Sequence, residues 1–334
     1  MIRRVVHLVR SDSFAGVERY VADTCAELAQ RGWEVTVIGG DPRRMRAQLP
    51  ATVEHLSGAS VVDVVRYLGQ LPRQDIVHAH MTAAELPAAL LKRKLGGRLI
   101  VTRHFPFRRG STLPGRLAGS LIARRVDAQV AISHFVAAYV EGVSAVIHNG
   151  VANSIWDPAA RDDTVLVLQR LEPEKDTATA LRAWARAGLA PWGWRLIIHG
   201  RGSDEAALRS LAAELGIDAS VDFAGFTDKP RTALARAGML LATAPREPFG
   251  LAVVEAMAEA TPVVAAAGGA HPETLGDAGT YFEPRDADAC AERLSHLAGA
   301  AQERQVIGVA LRDRQRAQFT VTRHADRLEV LYAG

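Results

Sequence analysis

The segment REPFGLAVVE, residues 246 to 255, sets two carboxylates, Glu247 and Glu255, on either side of a Pro-Phe-Gly-Leu turn in otherwise apolar surroundings. Pro248 suits the first position of a helix, and the EAMAEA that follows is strongly helix-forming. The amides of Phe249, Gly250 and Leu251 are then expected at a helix N-terminus. Unpaired N–H groups and the positive end of the helix dipole favour an anion there, and Gly250 lets a ligand approach the backbone. A helical span from Phe249 to Glu255 covers roughly 9 Å, so the two acids would meet different parts of an elongated ligand. Carboxylates so placed accept hydrogen bonds from sugar and ribose hydroxyls. The competing reading makes Glu247 a helix-start acid and Glu255 a surface acid.

Two other stretches point to anions. QRLEPEK, residues 169 to 175, places Arg170 and Lys175 after an apolar strand, where two cations would neutralise a diphosphate; a solvated basic loop is the alternative. In SDSFAGVERYV, residues 11 to 21, Gly16 opens a helix and would offer its amide to phosphate, although a glycine at a helix start is often only a turn.

These residues need elements to hold them. Short β-branched runs alternate with amphipathic segments: VVHLV, EVTVIG, DIVHA, RLIVT, AQVAI and AVIH, then TVLVL, RLIIHG, VDFAG, MLLAT, PVVAA and TYF. Such alternation predicts parallel, doubly wound α/β sheets. The pattern breaks at HNGVANSIWDPAARDD, residues 148 to 163, which reads as a hinge. A first domain is therefore expected over 1–150 and a second over 151–317, with a C-terminal helix over about 318–334 packing back towards the first. Ala325, Leu328, Val330 and Leu331 are the residues available for that docking. Two Rossmann-like sheets facing each other would leave a substrate cleft between the domains.

Composition bounds the rest. A chain of 334 residues, 48% hydrophobic, is long enough for two cores. Its 40 basic and 37 acidic residues leave a net charge of only +3. Two cysteines, Cys25 and Cys290, are too few for a disulfide framework and suit a reducing cytoplasm; Cys25 falls on the apolar stripe Val17, Val21, Cys25, Leu28 of a helix. No apolar run approaches the roughly 20 residues of a membrane span. Residues 91 to 125 hold ten basic residues (Lys92, Arg93, Lys94, Arg98, Arg103, Arg108, Arg109, Arg116, Arg124, Arg125) and no acid. Interleaved with them are Phe105, Phe107, Leu113, Leu117, Leu121 and Ile122. A face for an anionic membrane, a site for a phosphate-bearing acceptor and an ordinary solvated surface compete for this stretch. A nucleic-acid partner is not expected, because no recognised fold or base-stacking signature is present.

The run EPFGLAVVEAMA, followed by TPVVAAAGGAHPE, resembles the signature of retaining family-4 glycosyltransferases of GT-B fold, in which two glutamates are separated by seven residues. AGVERYV, DIVHAH, VTRHF, HNGV, LQRLEPEK, IHGRGSDE and FAGFTD follow in that family's order over most of the chain. The resemblance implies that Glu247 binds hydroxyls of the transferred sugar and that the amides of Phe249, Gly250 and Leu251 touch sugar and phosphate. Glu255 would bind the ribose, Arg170 and Lys175 the diphosphate, and Gly16 would approach it from the other domain. His104 would contact the sugar near the reacting carbon, and Phe226 and Thr227 would meet the nucleobase through their backbone. Gln169, Ala15, Ala152, Ala260 and Ala270 depart from the family's usual residues, and Ala15 bears on how the first loop fits phosphate.

The expected activity is therefore retaining transfer from a nucleoside-diphosphate sugar, UDP before GDP, to a glycan, lipid-linked or small-molecule acceptor, with no metal or other cofactor. A non-catalytic binding protein of the same fold and an NAD-dependent oxidoreductase are the alternatives. The glycine fingerprint of the latter is incomplete in GRG, residues 200 to 202. Asp286 and Asp288 are read as helix capping rather than metal binding. His78, His80 and His104 are weighed as a metal trio and set aside, with His80 placed instead on the acceptor side. The expected location is the cytoplasm, including the inner face of its membrane.

Overall fold

The computed structural model describes residues 3–110, 113–154 and 161–334; residues 155–160 of the hinge and the side chain of Leu113 lie outside them. The chain divides into two compact units, one of residues 1–152 with 319–334, the other of residues 153–318.

Among the described residues of the first unit seven strands form one sheet: Arg3–Val9 (β1), Trp33–Ile38 (β2), Glu54–Leu56 (β3), Ile76–His80 (β4), Arg98–Arg103 (β5), Ala128–Ala131 (β6) and Ala145–Val146 (β7). Their order is β3-β2-β1-β4-β5-β6-β7, all parallel. A parallel sheet is covered on both faces, which is why its central strands are nearly continuous apolar runs. Val6, Leu8, Val77, Ala79, Leu99 and Val101 pack on one face with the helices Val61–Gln70 and Thr82–Leu95. Val5, Val9, Ile76 and Ile100 pack on the other with Val21, Cys25 and Leu28 of the helix Gly16–Gln30.

The same face receives the C-terminal helix Val321–Ala333, whose N-terminus is capped by the Thr320 side chain accepting from the Arg323 amide. Ala325, Leu328 and Tyr332 are buried there, whereas Val330 is 76% exposed. The docking stripe follows the 3.6-residue period from Leu328 to Tyr332, so Tyr332 takes the place expected of Val330. Arg31 locks the helix on, reaching Asp326 at 2.7 Å and Glu329 at 2.8 Å, and Trp33 Nε1 donates to Glu329 at 2.8 Å.

The second unit holds Asp162–Leu168 (β8), Arg195–His199 (β9), Val221–Gly225 (β10), Ala237–Ala242 (β11), Val263–Ala266 (β12) and Thr280–Phe282 (β13), in the parallel order β10-β9-β8-β11-β12-β13. Its core gathers Val165, Val167, Leu196, Ile198, Met239 and Leu241 from the sheet with Trp184, Leu208, Cys290 and Leu294 from the helices. Full burial of each large side chain contributes about 1.5–3 kcal/mol. Asp286 caps the helix Ala287–Gly299 by accepting from the amides of Asp288 and Ala289, the structural role expected of that pair.

Candidate active site

In the second sheet the strand order reverses between β8 and β11, and the crevice at the carboxyl ends of such a pair is where doubly wound sheets bind ligands. The segment leaving β8 brings Lys175, and the segment leaving β11 brings Glu247. Lys175 Nζ donates to Glu247 Oε2 at 2.6 Å, and the two side chains are only 17% and 13% exposed. This is a largely desolvated ion pair, unlike the solvated pairs of the surface.

Lys175 is set by its backbone. The Gln169 amide group donates to the Lys175 carbonyl at 3.0 Å and reaches the hydroxyls of Thr177 and Thr243, while Thr243 donates to the same carbonyl at 2.8 Å. Gln169, one of the departures from the family pattern, thus ties the ends of β8 and β11 together. Glu247 is held from the other side, where its carbonyl accepts from the Ala270 amide at 2.8 Å. Gly269, at φ +61°, lies so close that a Cβ there would sit 2.3 Å from the Glu247 backbone, which excludes any larger residue. Burial pushes the Glu247 carboxyl up, but Lys175, His271 and the Gly250 N–H outweigh it and hold the group below the usual carboxylate range. Burial lowers His271, against the pull of Glu247, and its Nδ1 bonds the Ala266 carbonyl at 2.9 Å. His271, Gly268 and Gly269 all lie in the AGGAHPE run, yet none was singled out as a site residue.

The helix behind Glu247 starts later than its sequence suggests. It spans Leu251–Ala258, with Gly250 as N-cap at φ 88°, a left-handed conformation that no interior helix residue adopts. Pro248 and Phe249 therefore belong to the preceding turn, and the Phe249 ring is buried, 2% exposed. Glu255 is buried in the middle of this helix rather than lying on the surface. Arg170 is 56% exposed and donates to Glu174 at 2.6 Å, a pair four residues apart in the turn, while Lys175 is the one of the two cations that meets Glu247. Thr227 Oγ1 accepts from the Lys229 amide at 3.1 Å in an exposed turn after β10, beside the half-exposed Phe226. The glycines of GRG serve packing: a Cβ on Gly200 would meet the Gln169 carbonyl oxygen at 1.9 Å, and one on Gly202 the Leu171 carbonyl oxygen at 2.1 Å.

At Gly16 the first helix receives a carboxylate of its own. Glu18 accepts from the Ala15 amide at 2.9 Å and from Ser11 Oγ at 2.7 Å, and it is buried. The anion expected at that helix start is in part supplied by Glu18.

Further along the first unit, β1, β4 and β5 run side by side, with His7 opposite His78 and His80 opposite Thr102. Period-two alternation puts His7, His78, His80 and Thr102 on one face, and His104 follows two residues beyond Thr102. All four histidines are 4% exposed or less. His7 Nδ1 lies 2.9 Å from His80 Nε2, and His80 Nδ1 lies 3.2 Å from His104 Nε2. His78 instead bonds Tyr332 Oη at 2.6 Å and Thr102 Oγ1 at 2.7 Å. Among the described residues the compact trio of possible metal ligands is His7, His78 and His80, with atoms within 4.8 Å of one another, rather than His78, His80 and His104. Both nitrogens of His78 and both of His80 already have partners, so an ion would have to displace them. Next to this row, Arg103 and Arg109 are buried and bound by Glu85 and Glu141, which fixes the turn after His104.

Residues 14–154 match the family model described as Glycosyltransferase Family 4, and residues 153–312 the model described as Glycosyl transferases group 1. A D-inositol 3-phosphate glycosyltransferase of Catenulispora acidiphila is 28% identical over 84% of this chain and 82% of its own length. An exopolysaccharide phosphotransferase of Streptomyces coelicolor is 34% identical over 41% of this chain, and a D-inositol 3-phosphate glycosyltransferase of Mycobacterium avium 32% over 46%. The match spans only 15% and 40% of those two proteins. Among solved structures, HepE of Anabaena in complex with UDP and glucose superposes with a TM-score of 0.83 at 19% identity, over 99% of this chain and all of that one. Sucrose-phosphate synthase of Thermosynechococcus elongatus gives 0.82 at 20% identity, over 99% of this chain and 98% of that one. The two halves, matched by separate glycosyltransferase models and each folded around a parallel sheet, support a GT-B glycosyltransferase.

Proposed function

We propose that this chain transfers a hexosyl group, with retention at the anomeric carbon, from a UDP-sugar to a glycan, lipid-linked or small-molecule acceptor. The Lys175–Glu247 pair at the reversal of the second sheet carries the reading. Glu247 is ionised and accepts hydrogen bonds from hydroxyls of the transferred sugar; Lys175 lies where the diphosphate's charge must be met. The amides at Phe249, Gly250 and Leu251 add donors at the helix start, Glu255 takes the ribose, and the turn at Phe226 and Thr227 takes the base. Gly16 offers its amide to phosphate, and Arg170 exchanges Glu174 for phosphate when donor binds. The bond from anomeric carbon to phosphate oxygen breaks, the acceptor oxygen bonds to the same face, and its proton passes to the leaving phosphate. Lys175 and the helix terminus stabilise the growing negative charge, a task that in other transferases falls to a metal. Uridine is preferred because HepE, of the same fold, was crystallised with UDP.

A panel of UDP, GDP, ADP and NAD tests this. UDP at 100 times its dissociation constant is expected to stabilise the protein by about 2.7 kcal/mol, a shift of several degrees in Tm. UDP-sugar should also hydrolyse slowly without acceptor, which a non-catalytic binding protein would not achieve. A response to NAD alone would refute the reading.

We also propose that the first unit meets an anionic membrane surface. Within residues 91–125, Lys92, Arg98, Arg103, Arg109 and Arg125 are tied to groups of the fold. Arg93, Lys94, Arg108, Arg116 and Arg124 are exposed. Phe107, Leu117 and Leu121 are also exposed, at 69%, 63% and 61%, so the same stretch presents both cations and apolar side chains to solvent. Among the described residues no helix is long and apolar enough to cross a membrane. Co-sedimentation with vesicles containing about one-third anionic lipid is expected, with loss in Leu117→Ser/Leu121→Ser and at high salt. Equal binding to neutral vesicles would rule out the charge component.

A further inference from the structure

The row of buried histidines has a property that neither the donor site nor the fold requires. His7, His80 and His104 are joined nitrogen to nitrogen, from His7 Nδ1 to His80 Nε2 and from His80 Nδ1 to His104 Nε2. A neutral imidazole carries one N–H and one lone pair, so each hydrogen bond must have a donor on one ring and an acceptor on the next. Only two arrangements satisfy both bonds. In one, every ring is protonated on Nδ1 and the donors point from His7 to His104. In the other, every ring is protonated on Nε2 and the direction is reversed. A mixed arrangement sets two N–H groups or two lone pairs face to face.

His7 decides between them. Its Nε2 is buried with no partner among the described residues. In the first arrangement that atom is a bare lone pair; in the second it is an N–H with nothing to donate to. Orphaned buried N–H groups are the rarer and costlier of the two. The neighbours leave the row to itself: His78 is satisfied by Tyr332 and Thr102, and His324 takes the Tyr20 hydroxyl at 2.9 Å and the His148 carbonyl at 2.7 Å.

We propose that His7 and His80 are positioning residues that fix the proton of His104 on Nδ1, so that His104 acts as a neutral hydrogen-bond donor. The proposal rests on the reading in which His104 meets the transferred sugar. An Nδ1–H donor there would bind a hydroxyl or ring oxygen of the sugar. Burial keeps all three rings neutral, lowering His7 and His104 to about 3 and His80 well below the ordinary histidine value. His7 lies within β1 and is fully buried, so its effect on the reaction passes through the other two rings.

Nitrogen-15 NMR of histidine-labelled, ligand-free protein at pH 7.5 reads the tautomers directly. The expected wild-type spectrum shows His7, His80 and His104 all protonated on Nδ1. His7→Leu removes the donor to His80, and His104 should become a mixture of tautomers, with kcat reduced about tenfold and the KM for donor unchanged. His7→Asn keeps an N–H near the place of Nδ1 and should restore the tautomer and most of the rate. A merely structural His7 would lower Tm in both variants and leave the His104 tautomer alone, which would overturn the proposal. Nε2–H on His104 in the wild type would overturn it too, as would one chelatable zinc per chain. If His7→Leu does not fold, the wild-type and His7→Asn spectra still decide. The spectra need no turnover, so a protein without transferase activity would remove the functional reading and leave the relay to stand or fall alone.

Discussion

Glu247→Ala is expected to lower kcat by roughly 100- to 1,000-fold while UDP affinity changes little. In the proposed reading the carboxylate binds the sugar, not the nucleotide, and a preorganised polar group at a reacting centre is worth about that much. The loss should fall on kcat because the sugar's charge and shape change most in the transition state. Stability should suffer as well: Lys175, 17% exposed, is left without its partner, and breaking a buried pair costs about 3–5 kcal/mol, less if the lysine swings out to water. Glu247→Gln separates the two effects, since it keeps a hydrogen-bond acceptor for Lys175 but removes the charge. The Glu247 carboxyl is held below its ordinary value of 4.5, so its contribution is present above about pH 4.5 and fades as pH falls through its lower folded value. At neutral pH the variant is compared with a fully ionised site. Steady-state rates and UDP calorimetry on the three proteins make the check, and an alanine variant with unchanged kcat would sink the site assignment.

Mild acid should unfold the first unit. Burial holds His7, His104 and His324 at about 3, 3 and 4, and His78 and His80 well below the ordinary histidine value of 6.5. The unfolded chain binds protons on these groups where the folded one does not. Stability is therefore full above about pH 6.5 and falls as pH drops below it, by about 1.4 kcal/mol per pH unit for each histidine. Five together approach about 7 kcal/mol per unit, against a total of about 5–15 kcal/mol for an ordinary domain. The expected result is a cooperative transition near pH 5 to 5.5 with uptake of about five protons, seen by near-UV circular dichroism against pH. Native signal from the first unit at pH 4 would contradict the burial of this cluster.

Much of the fold is legible because buried parallel strands are rich in apolar and β-branched residues, and twelve of the described strands lie on such runs. The thirteenth, β3, is Glu54–His55–Leu56; three residues with one apolar side chain at a sheet edge give no periodic signal. The start of the helix behind Glu247 was misplaced because Pro248 and Gly250 are both compatible with a first turn, and only the positive φ of Gly250 shows where the turn ends. Lys175 and Glu247 could be named from spacing, but they are 72 residues apart in sequence and their pairing depends on β8 and β11 being neighbours. Arg170 and Lys175 are alike in the sequence as cations after β8, but only the structure shows that Lys175 meets Glu247 while Arg170 pairs with Glu174, because a sequence shows charge without direction. The histidine row was half visible in DIVHAH and VTRHF. His7 is not legible because one polar residue in VVHLV gives no hint of a partner 73 residues away.

The C-terminal segment has a consequence for how the protein is made. Ala325, Leu328 and Tyr332 complete the core of the first unit, and Arg31 and Trp33 wait for Glu329. On the ribosome, at about 5–20 residues per second, the first unit emerges early but lacks these partners until residues 325–332 are synthesised. The second unit, continuous from 153 to 318, has every part it needs before that. The half of the chain that is translated first is thus the half that finishes folding last, and in the interval its central histidines and the apolar face of its sheet stand open to chaperones, to proteases and to other nascent chains.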